Sequence, residues 1–140
     1  MGKILLDTSF VVSLFDKKDI FHSRAENLLP QIEKYEFFVT DCVINETLTV
    51  FCRRFISAKI PKIREKIKEI NQALLSLPFL SAYNLLPTAH KEIVEIMMAT
   101  KGNLSYHDSL LVVLMRKKRI KKIVSFDKGF DEIKDIIRIG

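Results

Sequence analysis

Apolar and polar positions along the chain switch between two periods. Short apolar runs that end in a polar residue alternate with longer stretches whose apolar residues recur three and four apart. Lys3-Ile4-Leu5-Leu6 is the first run, and Asp7-Thr8-Ser9 follows it. Phe10 to Phe15 reads as an apolar helix. Phe21 to Glu33 reads as a second, with Ala25, Leu28, Leu29 and Ile32 on one face. Phe37-Phe38-Val39-Thr40 is aromatic and β-branched, which favours a strand, and Asp41 ends it. Val43 to Ile56 and Pro61 to Leu77 are amphipathic helices. Phe79 to Leu86 is a weaker strand, and Thr88 to Thr100 is a helix that Lys101-Gly102-Asn103 terminates. Ser105 to Lys118 is a helix with an almost wholly apolar centre. Lys121 to Phe126 is a strand, Asp127 to Phe130 a short turn or helix, and Ile133 to Ile139 contains a last strand. Strands alternating with helices predict an α/β fold built of βα units, with a mainly parallel sheet covered on both faces. No Ser/Gly-rich linker interrupts the pattern, so residues 1–140 are expected to form one domain. Residues 57–78 are a candidate protruding helical hairpin.

Composition narrows this mainly by exclusion. With 48% apolar residues in 140, the chain can bury a core and is not of the disordered class. The longest pure apolar run, Leu110 to Met115, is far short of the roughly 18 residues a membrane span needs. Asp7 interrupts the N-terminal apolar run before a signal segment can form, so the expected location is the cytoplasm, without a membrane partner. Cys42 and Cys52 have neither disulfide-scaffold nor zinc spacing and are expected to be reduced and buried. The four glycines, Gly2, Gly102, Gly129 and Gly140, are too scattered for a GxGxxG or Walker loop. If the protein handles phosphate, cations rather than a glycine cradle must do it.

Three strands exit directly into an aspartate: Asp7, Asp41 and Asp127. In a parallel sheet those exits share one edge, where such folds place ligands. Each could equally be an ordinary helix N-cap, an interaction of about 0.5–2 kcal/mol. Glu46 lies at the margin of the apolar stripe of its helix, with Thr49 and Arg53 on the same flank. Asp108 heads a buried stripe of Leu111, Val112 and Met115, where desolvation disfavours a charge. Ser105-Tyr106-His107-Asp108 also fits a capping box, which explains an acid there but not its apolar face. Clustered carboxylates repel by roughly 4 kcal/mol per pair at 4 Å and an effective dielectric of 20. Such a cluster needs a cation or protonation, and Mg²⁺ or Mn²⁺ suits an all-oxygen site.

Four short motifs then resemble the PIN domain family, and within it the VapC-type ribonuclease toxins. They are Ile4-Leu5-Leu6-Asp7-Thr8-Ser9, Asn45-Glu46, Tyr106-His107-Asp108-Ser109-Leu110, and Ile123-Val124-Ser125-Phe126-Asp127-Lys128-Gly129-Phe130. The resemblance spans Lys3 to Ile139 and implies a three-layer α/β/α sandwich around a sheet of four to five strands. It implies a metal-dependent endoribonuclease in which Asp7, Glu46, Asp108 and Asp127 hold Mg²⁺ or Mn²⁺ and carry catalysis. Thr8, Ser9 and Ser125 would orient ligands or phosphate, and Asp131 is an alternative to Asp127 as fourth acid. It further implies an RNA substrate, a protein antitoxin as partner and a homodimer. Ser109 departs from the alanine common after the third acid, and the segment before Thr88 is long and lysine-rich.

The run Arg116 to Lys122 holds six basic residues in seven. It reads either as dipole-complementing charge at a helix C-terminus or as RNA backbone contact. It lies roughly 15 Å from Asp108 along one helix, so Arg53 is the better candidate for a basic residue near the acids. His107 adjoins Asp108 but projects about 100° away from it on the helix. Two alternatives remain: a non-catalytic RNA- or protein-binding α/β module whose strand-end acids are caps, and a receiver-like phosphorylated domain.

Overall fold

The computed structural model of the chain describes residues 2–140. Five strands form one parallel sheet: β1 (Lys3–Leu6), β2 (Glu36–Thr40), β3 (Phe79–Leu80), β4 (Lys122–Val124) and β5 (Ile137–Ile139). Their order is β3-β2-β1-β4-β5. Register is set by the pairs Ile4↔Phe37, Ile4↔Lys122, Val39↔Phe79 and Ile123↔Arg138. The α-helices are α1 (Thr8–Phe15), α2 (His22–Ile32), α3 (Asp41–Ser57), α4 (Ile63–Leu75), α5 (His90–Ala99) and α6 (Tyr106–Lys118).

The strand order explains the layering. From β1 to β2 to β3 the chain steps outward in one direction, then crosses back over the sheet to β4. Right-handed crossovers put the first group of connecting helices on one face and the return pair on the other. In agreement, α1 packs on α2 and α3, α3 packs on α4, and α5 packs on α6. The sheet between them is dry: Ile4, Leu5, Val39, Ile123 and Val124 are fully buried, as are Leu110 to Leu114 of α6 apart from a trace at Leu111. This is the expected three-layer α/β/α arrangement. α4 returns alongside α3 and anchors itself through Leu74, which is fully buried, while most of the turn at 57–62 is exposed.

The expected strand over Phe79 to Leu86 is cut to two residues. The Asp41 carboxylate accepts hydrogen bonds from the Ser81 hydroxyl at 2.7 Å and from the N–H groups of Ala82 and Tyr83. These bonds turn the chain out of the sheet into a 3-10 turn at Tyr83–Leu85. Asp41 is thus a strand-exit acid with a structural task, bracing the loop beyond β3. Cys42 is buried, Cys52 is half-buried, and both are free thiols.

Candidate functional site

The strand order reverses between β1 and β4, and a parallel sheet opens a crevice at that point. Asp7 leaves β1 there, and Ser125, Phe126 and Asp127 leave β4 beside it. Asp41 leaves β2, on the far side of β1, so it falls outside the crevice. Asp7 is only 4% exposed. It occupies the N-cap position of α1, yet its side chain makes no cap bond. Instead its Oδ2 accepts the Ser125 hydroxyl at 2.5 Å and the Ser9 hydroxyl at 3.0 Å. Those hydroxyl oxygens in turn accept the N–H groups of Asp127 and Phe126, both at 3.0 Å. Ser9 and Ser125 therefore hold Asp7 and lace the β4 exit to the start of α1.

The other acids arrive from helices and a turn. Asp108 enters on the first turn of α6 in a complete capping box. Its carboxylate accepts the Ser105 N–H at 3.0 Å, and the Ser105 hydroxyl accepts the Asp108 N–H at 3.1 Å. Asp127 accepts the Gly129 N–H at 2.8 Å and starts a 3-10 turn over Lys128–Glu132. Capping thus accounts for part of Asp108 and Asp127 and for nothing at Asp7. Glu46, from the second turn of α3, meets His107 Nδ1 at 3.5 Å. Asp7, Glu46, Asp108 and Asp127, with Thr8 and Ser9, line one cleft of about 850 Å³.

The charges in this cleft resist one another. Burial raises the Asp7 carboxyl to about 7; the Ser125 hydroxyl opposes the rise and the Asp108 charge adds to it. Burial likewise raises Asp108, against its bonds to Ser105 and reinforced by Asp127. Glu46 is raised by burial, moderated by His107 and pushed further by Asp108. Asp108 is the hub through which the other three acids feel each other. Among the described residues no lysine or arginine pairs with any of the four.

The cleft continues along α1 to Asp16, Asp19, Phe21 and Arg54. Arg54 donates to Asp16 at 2.7 Å and to Asp19 at 3.0 Å, pinning the α1–α2 loop as one wall. Burial alone would raise Asp19; the Phe21 N–H, Arg54 and the Ser13 hydroxyl outweigh it and hold the carboxyl below its ordinary value. The expected near-site cation, Arg53, is exposed and does not line the cleft. On a helix wheel Arg53 lies about 20° from Glu46 and Arg54 about 80° on the other side. The cleft opens on the side of Val50 and Arg54, which only the packing of α3 against α1 decides.

His107 is the residue that sequence reasoning undervalued. It does project away from Asp108, but α3 brings Glu46 to it from another element. The only sequence signal was its place next to Asp108. Asp131, the alternative fourth acid, is exposed and engaged by Arg138 through two bonds of 2.9 and 3.1 Å, which leaves Asp127 as the fourth acid in the cleft. Thr8 Oγ1 is buried with no hydrogen-bond partner among the described residues, although its residue lines the cleft.

The donor set fits a hard divalent cation. It consists of carboxylate and hydroxyl oxygens, it lacks a paired cation, and it includes a buried hydroxyl without a partner. Among the described residues no three His, Cys, Asp or Glu side chains are drawn tightly enough together to form a finished cage.

A doubly wound α/β fold with carboxylates gathered at its switch point defines a class of acidic-cleft proteins. Within it the chain belongs to the PIN domain family, which matches residues 4–136. The fold is shared with the crystal structure of VapC20 from Mycobacterium tuberculosis, described as a sarcin–ricin loop cleaving toxin. The TM-score is 0.73 at 20% identity, covering 94% of this chain and 95% of that one. A comparison with curated proteins finds no significant match to the sequence. Among the described residues no helix is long and apolar enough to cross a membrane.

Proposed function

We propose that this chain is a Mg²⁺- or Mn²⁺-dependent endoribonuclease, with residues 1–140 forming a single PIN domain. The observation that carries the reading is that four carboxylates from four separate elements line one cleft in a PIN-family chain. Asp7, Glu46, Asp108 and Asp127 would hold the ion. The chemistry an ion supplies in such an oxygen site is activation of water and neutralisation of phosphoryl charge.

This chain's residues do the rest. Ser9 and Ser125 fix the rotamer of Asp7 by both donating to its Oδ2. His107 steadies Glu46, and Glu46 or Asp127 accepts the proton released during attack on the phosphodiester. Thr8 Oγ1, buried and without a hydrogen-bond partner among the described residues, would turn toward the cleft to orient a ligand. By likeness to VapC20 we further propose that the protein is the toxin of a toxin–antitoxin pair, homodimeric and cytoplasmic, with a protein antitoxin covering the acidic cleft.

The test is cleavage of labelled RNA in Mn²⁺, in chelator, and with the Asp7→Asn variant. Cleavage in Mn²⁺ that is absent in chelator and absent in the variant is the expected result. Undiminished cleavage by Asp7→Asn would overturn the metal-holding role of Asp7, and no cleavage by the wild type in Mn²⁺ would leave a non-catalytic binding module.

A further inference from the structure

An acidic cleft repels the backbone it is proposed to cut, so charge alone gives it a poor hold on RNA. Stacking of bases on aromatic rings escapes that repulsion, and it accepts any base because every base has a π-face. The chain sets four rings side by side at one edge of the cleft. In spatial order they are Tyr83, His107, Tyr106 and His90, with successive ring centres 5.6, 6.5 and 5.6 Å apart. They come from three elements: the 3-10 turn Tyr83–Leu85, the first turn of α6 and the first residue of α5. His107 joins the row to the acids, since its Nδ1 lies 3.5 Å from Glu46.

Polar contacts hold the rings in place. Asn45 Nδ2 donates to the Tyr83 hydroxyl at 3.0 Å, and His90 Nδ1 shares a hydrogen bond of 2.8 Å with the Tyr106 hydroxyl. Asp41 accepts the Tyr83 N–H at 3.2 Å and so sets the turn that carries the first ring. Packing against the core accounts for part of Tyr83 and Tyr106. It does not account for His90, which is exposed, or for His107, whose side chain is 35% exposed. Capping accounts for none of the rings, because Ser105 and Asp108 complete the capping box of α6 between them. Neighbouring ring planes are tilted by 57, 60 and 40°, so no ring covers the next as in a parallel stack. The aromatic pair near Asp127 differs: Phe21 and Phe126 lie within 20° of parallel at 4.8 Å, and Arg24 sits over Phe126. Those faces are taken.

Resting on the nuclease reading above, we propose that the row Tyr83–His107–Tyr106–His90 holds the bases beside the scissile phosphate by stacking, with Tyr106 and His90 as the residues the bases lie on. The cleft supplies the chemistry, and the row fixes which phosphate enters it. Rings already oriented by hydrogen bonds lose little freedom when a base covers them, so most of the stacking energy survives as affinity.

The test uses a uridine hexanucleotide carrying one 2-aminopurine, bound in chelator so that nothing is cut. Uridines stack weakly on one another, so quenching of the 2-aminopurine at saturating protein reports stacking on the protein. The variants are Tyr106→Leu, which removes a ring, Tyr106→Phe, which keeps it, and His90→Ala. His90 is exposed, so His90→Ala decides the matter should Tyr106→Leu not fold. Tyr106→Leu and His90→Ala are each expected to weaken binding about tenfold and to relieve the quenching, while Tyr106→Phe stays within about threefold of the wild type. The slope of log affinity against log salt is expected to stay unchanged in all three, because no phosphate contact is lost. On an RNA that the wild type cleaves in Mn²⁺, the ring-removing variants raise KM and leave kcat. Quenching that survives both ring removals, or a loss that Tyr106→Phe shares in full, would overturn the proposal. Ring-dependent quenching without any cleavage in Mn²⁺ keeps the row and removes the nuclease reading. Cleavage with ring-independent binding does the reverse.

Discussion

Replacing Asp7 by Asn removes one charge and little else. Asn has nearly the shape of Asp and keeps an oxygen that can accept the Ser9 and Ser125 hydroxyls. The magnitude follows from the burial of Asp7. Its carboxyl ionises near 3.8 in an unfolded chain and near 7 in the folded protein, chiefly because burial disfavours the charge. A gap of about three units corresponds to about 4 kcal/mol, an upper figure that relaxation of the cleft reduces. The folded-state value is raised, so the folded protein keeps its proton while the unfolded chain releases one. No penalty exists below about pH 4; it grows between pH 4 and 7 and is complete above 7. The metal-free wild type should thus lose stability as pH rises from 5 to 8, and Asp7→Asn should flatten that dependence. At pH 8 in chelator the variant is expected to be stabilised by about 2–4 kcal/mol, a melting-temperature rise on the order of 10 °C for a chain of this size. Excess Mn²⁺ should then raise the melting temperature of the wild type and not that of the variant. Calorimetric melts at pH 5 and 8, with chelator and with Mn²⁺, read all of this. A variant no more stable than wild type at pH 8, with both stabilised equally by Mn²⁺, refutes the reasoning.

Three further substitutions separate the roles of neighbouring residues. His107→Ala removes the partner that steadies Glu46 and should weaken Mn²⁺ binding about tenfold in titration calorimetry, with little change in the melt. Arg54→Ala frees Asp16 and Asp19 on the cleft wall and should cost about 1 kcal/mol in urea unfolding at pH 7. Because Asp19 is held below its ordinary value, that difference exists above about pH 4 and fades as acid protonates the carboxyl. Asp41→Ala strips the acceptor from the Ser81 hydroxyl and from three backbone N–H groups. It should cost about 2–3 kcal/mol while leaving Mn²⁺ affinity unchanged, since Asp41 stands outside the cleft.

Local patterning carried most of the architecture. Apolar residues every second position or every three and four show the strands and helices directly, because side-chain direction repeats with those periods along a single element. The capping box of α6 and the helix stop at Lys101-Gly102 were equally visible, since each involves residues a few positions apart. The strand after Pro78 was overestimated for the opposite reason. What shortens it is the Asp41 carboxylate, some forty residues away in sequence.

The site divides along the same line. Alternation of strands and helices makes a parallel sheet, and a parallel sheet puts all strand-exit acids on one edge; that much the sequence determined by itself. Which exits adjoin depends on strand order, which placed β4 beside β1 and so chose Asp7 and Asp127 over Asp41. The packing of α3 against α1 placed Arg54 rather than Arg53 on the cleft, and the approach of α3 to the start of α6 carried Glu46 to His107. Those contacts join residues far apart in the chain, and no period along one element encodes the packing of two.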